Sequence, residues 1–113
     1  MKIFYMPYNN KIAGDISICA NNMNWIDTYV IATCFSEPTD LVYRSNRTGN
    51  ISVFENKLRL REFHINWCIN ITGQLISLKN LKKLYFCMCR GTSVTGSKTD
   101  LYNGGANCSY FAI

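Results

Sequence analysis

Apolar and polar residues along this chain fall into short runs rather than long stripes. Segments of roughly four to eight residues rich in Val, Ile, Tyr, Phe and Thr recur between polar breaks, the pattern of half-buried β-strands. It predicts strands over residues 2–5, 15–20, 25–35, 40–44, 51–54, 58–61, 64–69, 74–78, 84–90 and 109–113. Asn21-Asn22 and Gly49-Asn50 supply turns, and residues 91–106, with four glycines, read as a long loop. A helix is expected only as one turn near residues 80–84. Many short strands at this spacing predict an all-β sandwich or barrel. The two-residue period puts Ile76 and Leu78 on one face, and likewise Tyr85, Cys87 and Cys89. By the same period Phe63 and Ile65 point one way and His64 the other, as an exposed strand histidine does.

A length of 113 residues fits one domain, taken as residues 1–113. A hydrophobic content of 48% is enough to form a core, which excludes a disordered tail. Neither a linker nor an internal repeat stands out. The net charge of +5 gathers partly in Lys57-Leu58-Arg59-Leu60-Arg61 and partly over residues 79–83. Alternating Lys/Arg and Leu is the wet side of a strand more simply than a nucleic-acid contact, so no nucleic-acid partner is expected. The apolar N-terminal run Ile3-Phe4-Tyr5-Met6 is too short for a signal-peptide core, and no stretch is long enough for a membrane span. This stretch is therefore expected not to insert into a membrane.

Cysteine changes the picture more than charge does. Six cysteines in a chain this small need a use, and disulfides or metal binding are the usual ones. There is no Cys-x-x-Cys pair and a single histidine, His64, which fits zinc poorly. An even count allows three bridges, and disulfides predict a protein secreted or facing outward from a membrane, with any signal or anchor outside this stretch. Buried thiols in a cytosolic domain are the alternative. Four Asn-x-Ser/Thr triplets, at Asn46, Asn50, Asn70 and Asn107, favour the secretory reading as candidate glycan sites.

Catalytic constellations are lacking. No Gly-x-Ser-x-Gly, phosphate-binding glycine loop or metal-ligand helix occurs, and the seven acidic residues include no pair set to share a task. The expectation is no enzyme, no metal and no cofactor.

Ile76-Ser77-Leu78-Lys79-Asn80-Leu81 followed by Tyr85-Phe86-Cys87 is similar to the strand E to strand F corner of immunoglobulin-like domains. Trp25 nine positions before Cys34, and Cys68 leading into Asn70-Ile71-Thr72-Gly73-Gln74-Leu75, extend the likeness. Together they resemble the short Ig-like glycoproteins of cytomegaloviruses and the conserved-region glycoproteins of adenovirus early region three, over roughly residues 15–90. The resemblance implies an all-β, variable-type immunoglobulin-like β-sandwich stabilised by disulfides. It implies Cys34 bridged to Cys68. The four further cysteines depart from that family's pattern, and Cys19 is paired with Cys87 as the sheet-to-sheet bridge of ordinary Ig domains, which leaves Cys89 and Cys108 to staple the last long loop. It implies a viral glycoprotein that engages a host cell-surface or soluble immune protein and modulates immunity. On that scaffold the last loop carries recognition, with Lys98, Leu101 and Tyr102 as candidate contacts and Arg44 and Arg90 as secondary ones. Another secreted disulfide-rich binding module, such as a lectin-like domain, toxin or effector, is the second reading.

Overall fold

The computed structural model describes residues 3–5, 14–17, 23–31 and 47–113. Its strands are short: β1 (Ile3–Tyr5), β2 (Gly14–Asp15), β3 (Thr28–Val30), β4 (Arg47–Asn50), β5 (Glu62–His64), β6 (Ile71–Gln74), β7 (Phe86–Met88), β8 (Ser93–Thr95) and β9 (Tyr110–Ala112). Single 3-10 turns, Ile51–Phe54 and Leu75–Leu78, follow β4 and β6, and the helix α1 (Lys98–Asn103) follows β8. Odd-numbered strands form a five-stranded sheet in the order β1-β3-β5-β7-β9, and even-numbered strands form a four-stranded one, β2-β4-β6-β8. Every pairing between these strands is parallel. The chain thus visits one sheet, crosses to the other and returns one coil further on. That is a solenoid, in which each unit packs only on its neighbours.

The coil repeats every 24 residues where it is most regular: Glu62 pairs with Phe86, and Phe86 with Tyr110. Buried positions inside a unit recur mostly every third residue. Leu75, Leu78, Leu81, Leu84, Cys87 and Cys89 fill one coil; Ile51, Phe54, Leu60, Phe63 and Ile65 fill the matching places of the coil before it. Lys57 takes the place of Leu81 there. It is buried, and its ammonium donates to Asn24 Oδ1 at 2.7 Å, so the charge is hydrogen-bonded where a leucine would only pack. Apolar residues at this spacing, with one short strand and one tight turn per unit, have the layout of a leucine-rich repeat. Each fully buried leucine, isoleucine or phenylalanine contributes about 1.5–3 kcal/mol, and only stacked coils can bury them all. Toward the N-terminal side the filling is aromatic: the Tyr29 ring lies 4.7 Å from Phe54, 5.1 Å from Phe4 and 5.8 Å from Phe63.

Glycine sets the stacking distance on the second sheet. Gly73 has φ +124°, and a Cβ there would stand 2.6 Å from Asn50 Oδ1 and 2.8 Å from Ile51 Cγ1 of the preceding coil. A turn opens at the residue after Gly49 and at the residue after Gly14: Asn50 Oδ1 accepts the Ser52 N–H at 2.9 Å, and Asp15 Oδ1 accepts the Ser17 N–H at 2.8 Å. These local bonds satisfy amides that the ladder leaves open. The Ser17 amide also holds the Asp15 carboxyl below its ordinary pKa.

The immunoglobulin-like sandwich is overturned. That fold pairs its strands antiparallel in Greek-key order, whereas here both sheets are parallel and the layout is α/β-like. The segments 51–54 and 75–78, expected within strands, are 3-10 turns. Residues 58–61 are no strand either, since Leu58 is 58% exposed while Leu60 and Lys57 are buried. The expected loop over 91–106 holds β8 and α1, and the helical turn sits there rather than at 80–84. Trp25, expected to open a strand over residues 25–35, lies ahead of β3 and is 41% exposed.

The disulfide framework fails with the sandwich. No disulfide forms among the described residues. Cys87 and Cys89 are adjacent thiols, with sulfurs 3.7 Å apart, and Cys108 Sγ donates instead to the Leu84 carbonyl at 3.4 Å. Cys68 Sγ lies 3.9 Å from the Asn66 carbonyl oxygen. Cysteine here does the work of leucine: Cys68, Cys87, Cys89 and Cys108 are all core residues. Cys19 and Cys34 lie outside the described residues.

Candidate recognition surface

Strands of the five-stranded sheet present their middle residue to the core and their flanking residues outward. Tyr29, Phe63 and Cys87 point in, at 0% exposure. The parallel register then lines up the residues of the opposite face in rows, Thr28-Glu62-Phe86-Tyr110 and Val30-His64-Met88-Ala112, of which Thr28 and Val30 are themselves buried. Such rows are where solenoids hold their binding surfaces.

This face is unusually aromatic for an outward one. The His64 imidazole stacks on Phe86 at 4.1 Å between centroids, with planes 11° apart. Phe86 in turn meets Tyr110 at 5.4 Å, and Tyr110 meets Tyr85 edge-on at 6.5 Å. The Arg61 guanidinium lies 5.6 Å from the centre of the Tyr85 ring, within cation–π range. Rings from three consecutive coils therefore form one continuous strip. Tyr110 is 56% exposed at its C-terminal end.

Glu62 anchors the other end. Its carboxylate accepts from Thr28 Oγ1 at 3.1 Å and lies 3.8 Å from His64 Nε2. Burial pushes the His64 pKa below 6.5, and the Glu62 charge opposes that shift without cancelling it. A largely neutral imidazole at pH 7 suits a stacked, half-buried ring. Beyond the strands, Asn66, 2% exposed, accepts the Arg90 N–H at 2.8 Å and so ties the ends of successive strands together.

The sequence-predicted contacts are scattered over this framework. Arg90 is exposed just past β7, at the end of the aromatic strip. Lys98 and Tyr102 lie on α1, away from the five-stranded sheet in the coil, and Tyr102 is 67% exposed. Leu101 is in the core at 0%, so only Tyr102 of that pair meets solvent. Arg44 and Asn46 fall outside the described residues. Asn50, Asn70 and Asn107 are all exposed, the first with its side chain engaged by the Ser52 amide. Phe86, Tyr110, Tyr85 and Arg61 were missed as surface residues. The signal was their spacing: Phe86 and Tyr110 occupy one position in consecutive units, visible once the repeat is.

A shallow groove of about 450 Å³ lies on the other sheet, among Asn50, Ser52, Gln74, Ser77 and Thr95. Its lining has neither a charge nor an aromatic ring to fix a ligand. Among the described residues no group of three or more His, Cys, Asp or Glu side chains is placed to hold a metal ion, and no helix is long and apolar enough to cross a membrane. No known family model, curated protein or solved structure matches the chain.

Proposed function

We propose that this chain is a protein-recognition module of repeat type, which binds an extended polypeptide across the outer face of its five-stranded sheet. One observation carries the reading: the His64-Phe86-Tyr110 strip places aromatic side chains where a sheet that only faces water carries polar ones. Aromatic and arginine side chains are favoured binding anchors because they bring large contact area at low entropic cost. The parallel sheet beneath supplies a rigid base. Secretion and glycosylation of Asn50, Asn70 and Asn107 belong to the same proposal, since exposed acceptor sites lie off the aromatic strip.

Selection from a displayed random-peptide library tests it. The wild-type module is expected to enrich peptides whose binding falls at least about tenfold for Phe86→Ser/Tyr110→Ser. Thr95→Ala, on the other sheet, should leave them bound. Enrichment of nothing, or of peptides indifferent to both changes, would refute the reading; circular dichroism on each variant keeps misfolding separate.

A further inference from the structure

We infer that the partner segment is acidic, held by a basic flank that runs beside the aromatic strip; this rests on the recognition reading above and names the chemistry of its ligand. The flank lies on the chain entering the five-stranded sheet. Arg59 and Lys83 occupy one position in consecutive coils, and Arg61 and Tyr85 another, as the pairing of Glu62 with Phe86 requires. Stacked units lie about 4.8 Å apart, so Arg59 and Lys83 stand side by side. Lys79 and Lys82 extend the patch, and all five cations are exposed.

None of the five is paired with a carboxylate among the described residues, and the Arg61 guanidinium lies over the Tyr85 ring. Glu55, in the place of Lys79 one coil earlier, and Asp27, in the place of Arg61, are the acidic residues beside this flank among the described residues. Like charges at matching positions of adjacent units repel, a cost that an anionic partner removes on binding. Desolvation by a docked chain would strengthen each attraction further.

Ring geometry favours polypeptide over nucleic acid. Bases bind to open aromatic faces. Here Phe86 has one face covered by His64, while Tyr110 is tilted against it. The strip offers ring edges, which carry partial positive charge and attract carbonyl and carboxylate oxygens. Edges and cations together fit an extended acidic chain with apolar side chains between its carboxylates.

The probe is a fluorescein-labelled random copolymer of glutamate and tyrosine, titrated against the folded chain by anisotropy, beside a serine-tyrosine copolymer and a single-stranded oligothymidine. Tight binding of the acidic copolymer alone is expected, weakening by about tenfold or more in Arg59→Glu/Lys83→Glu and by less in Arg59→Gln/Lys83→Gln. Affinity should also fall as salt rises from about 50 to 200 mM. Equal binding of the acidic and serine copolymers, sensitive to Phe86→Ser/Tyr110→Ser, would overturn the acidic partner while leaving the recognition face intact. Preference for oligothymidine would overturn it in favour of nucleic acid. Binding of no probe would overturn it, and the library selection then decides separately whether the face recognises peptides at all.

Discussion

Trp67 and Gly91 hold the same place in successive coils, and the indole of the first lies against the α-carbon of the second. Both have left-handed backbone, with φ +65° at Trp67 and +71° at Gly91. A Cβ on Gly91 would overlap the Trp67 ring at Cε3. The Trp67 N–H donates to the Arg90 carbonyl at 2.6 Å, which fixes the height of one turn over the next. A bulky side chain in that backbone region is uncommon and strained. Its packing over a bare glycine is what offsets the strain.

Gly91→Ala is therefore expected to destabilise by about 2 kcal/mol or more, combining steric overlap with backbone strain. In a Trp67→Ala background the same change should cost only the strain, about 1 kcal/mol. Urea unfolding of the four proteins in this cycle measures the difference. Additive costs would show that the ring and the glycine are not coupled.

Gly104 separates space from conformation. Its φ of −86° suits any residue, yet a Cβ there would overlap the Lys79 carbonyl oxygen. The end of α1 sits directly on the turn Leu75–Leu78 at this point, and backbone cannot swing aside as a side chain can. Gly104→Ala should cost about 1–3 kcal/mol by overpacking alone. Gly14→Ala gives the contrast, since nothing lies within 4 Å of its Cβ position and only φ +137° opposes the change. Thermal melts of both variants would rank the two effects, with Gly104→Ala expected to be the worse.

Part of this architecture was legible in the residues. Thr48-Gly49, Thr72-Gly73 and Thr95-Gly96 recur at nearly equal intervals, and Leu75, Leu78, Leu81 and Leu84 step by three. Three residues at leucine positions concealed the period. Lys57 stands where the preceding coil would show a leucine, and it turned Lys57-Leu58-Arg59-Leu60-Arg61 into an apparent two-residue alternation. Cys87 and Cys89 occupy leucine positions, and cysteine in a small chain suggests bridges before it suggests packing. The face opposition of Phe63 and Ile65 to His64 survives, but His64 is stacked on Phe86 with its side chain 13% exposed, not the exposed strand histidine expected. The aromatic strip was not legible, since Phe86 and Tyr110 are neighbours only through parallel stacking of separate coils.

His64 gives the stability of the fold a pH dependence. Burial lowers its folded pKa below 6.5, so folding favours the neutral ring. The unfolded chain takes up the proton first as pH falls, and stability contributed by this group is present above 6.5 and lost on going below it. Glu62, two residues earlier on the same strand, opposes the shift with its charge and narrows that window. His64→Phe keeps the stack on Phe86 without a titrating proton. Its melting temperature should fall less than wild type between about pH 7 and 5.5. An identical decline in both proteins would mean that His64 is not the titrating group.

The core thiols make the last case, because packing and chemistry predict the same behaviour. Cys87, Cys89 and Cys108 are at most 1% exposed. The Cys89 hydrogen bond, followed by burial, drives the Cys87 pKa well up, and burial raises that of Cys108 from 9.0 to about 12. A thiol raised in the folded state contributes stability below its unfolded pKa and loses it as pH climbs through the folded value. The domain should accordingly weaken between about pH 9 and 12, and Cys108→Ala should flatten that decline while lowering stability at neutral pH. All three residues are enclosed, and at pH 7.5 Cys87 and Cys108 are protonated, so iodoacetamide should leave the three unmodified in the native protein and alkylate them in denaturant. Peptide mapping by mass spectrometry reads both states. Linked peptides joining Cys87, Cys89 or Cys108 would instead restore bridges that the parallel coil does not form.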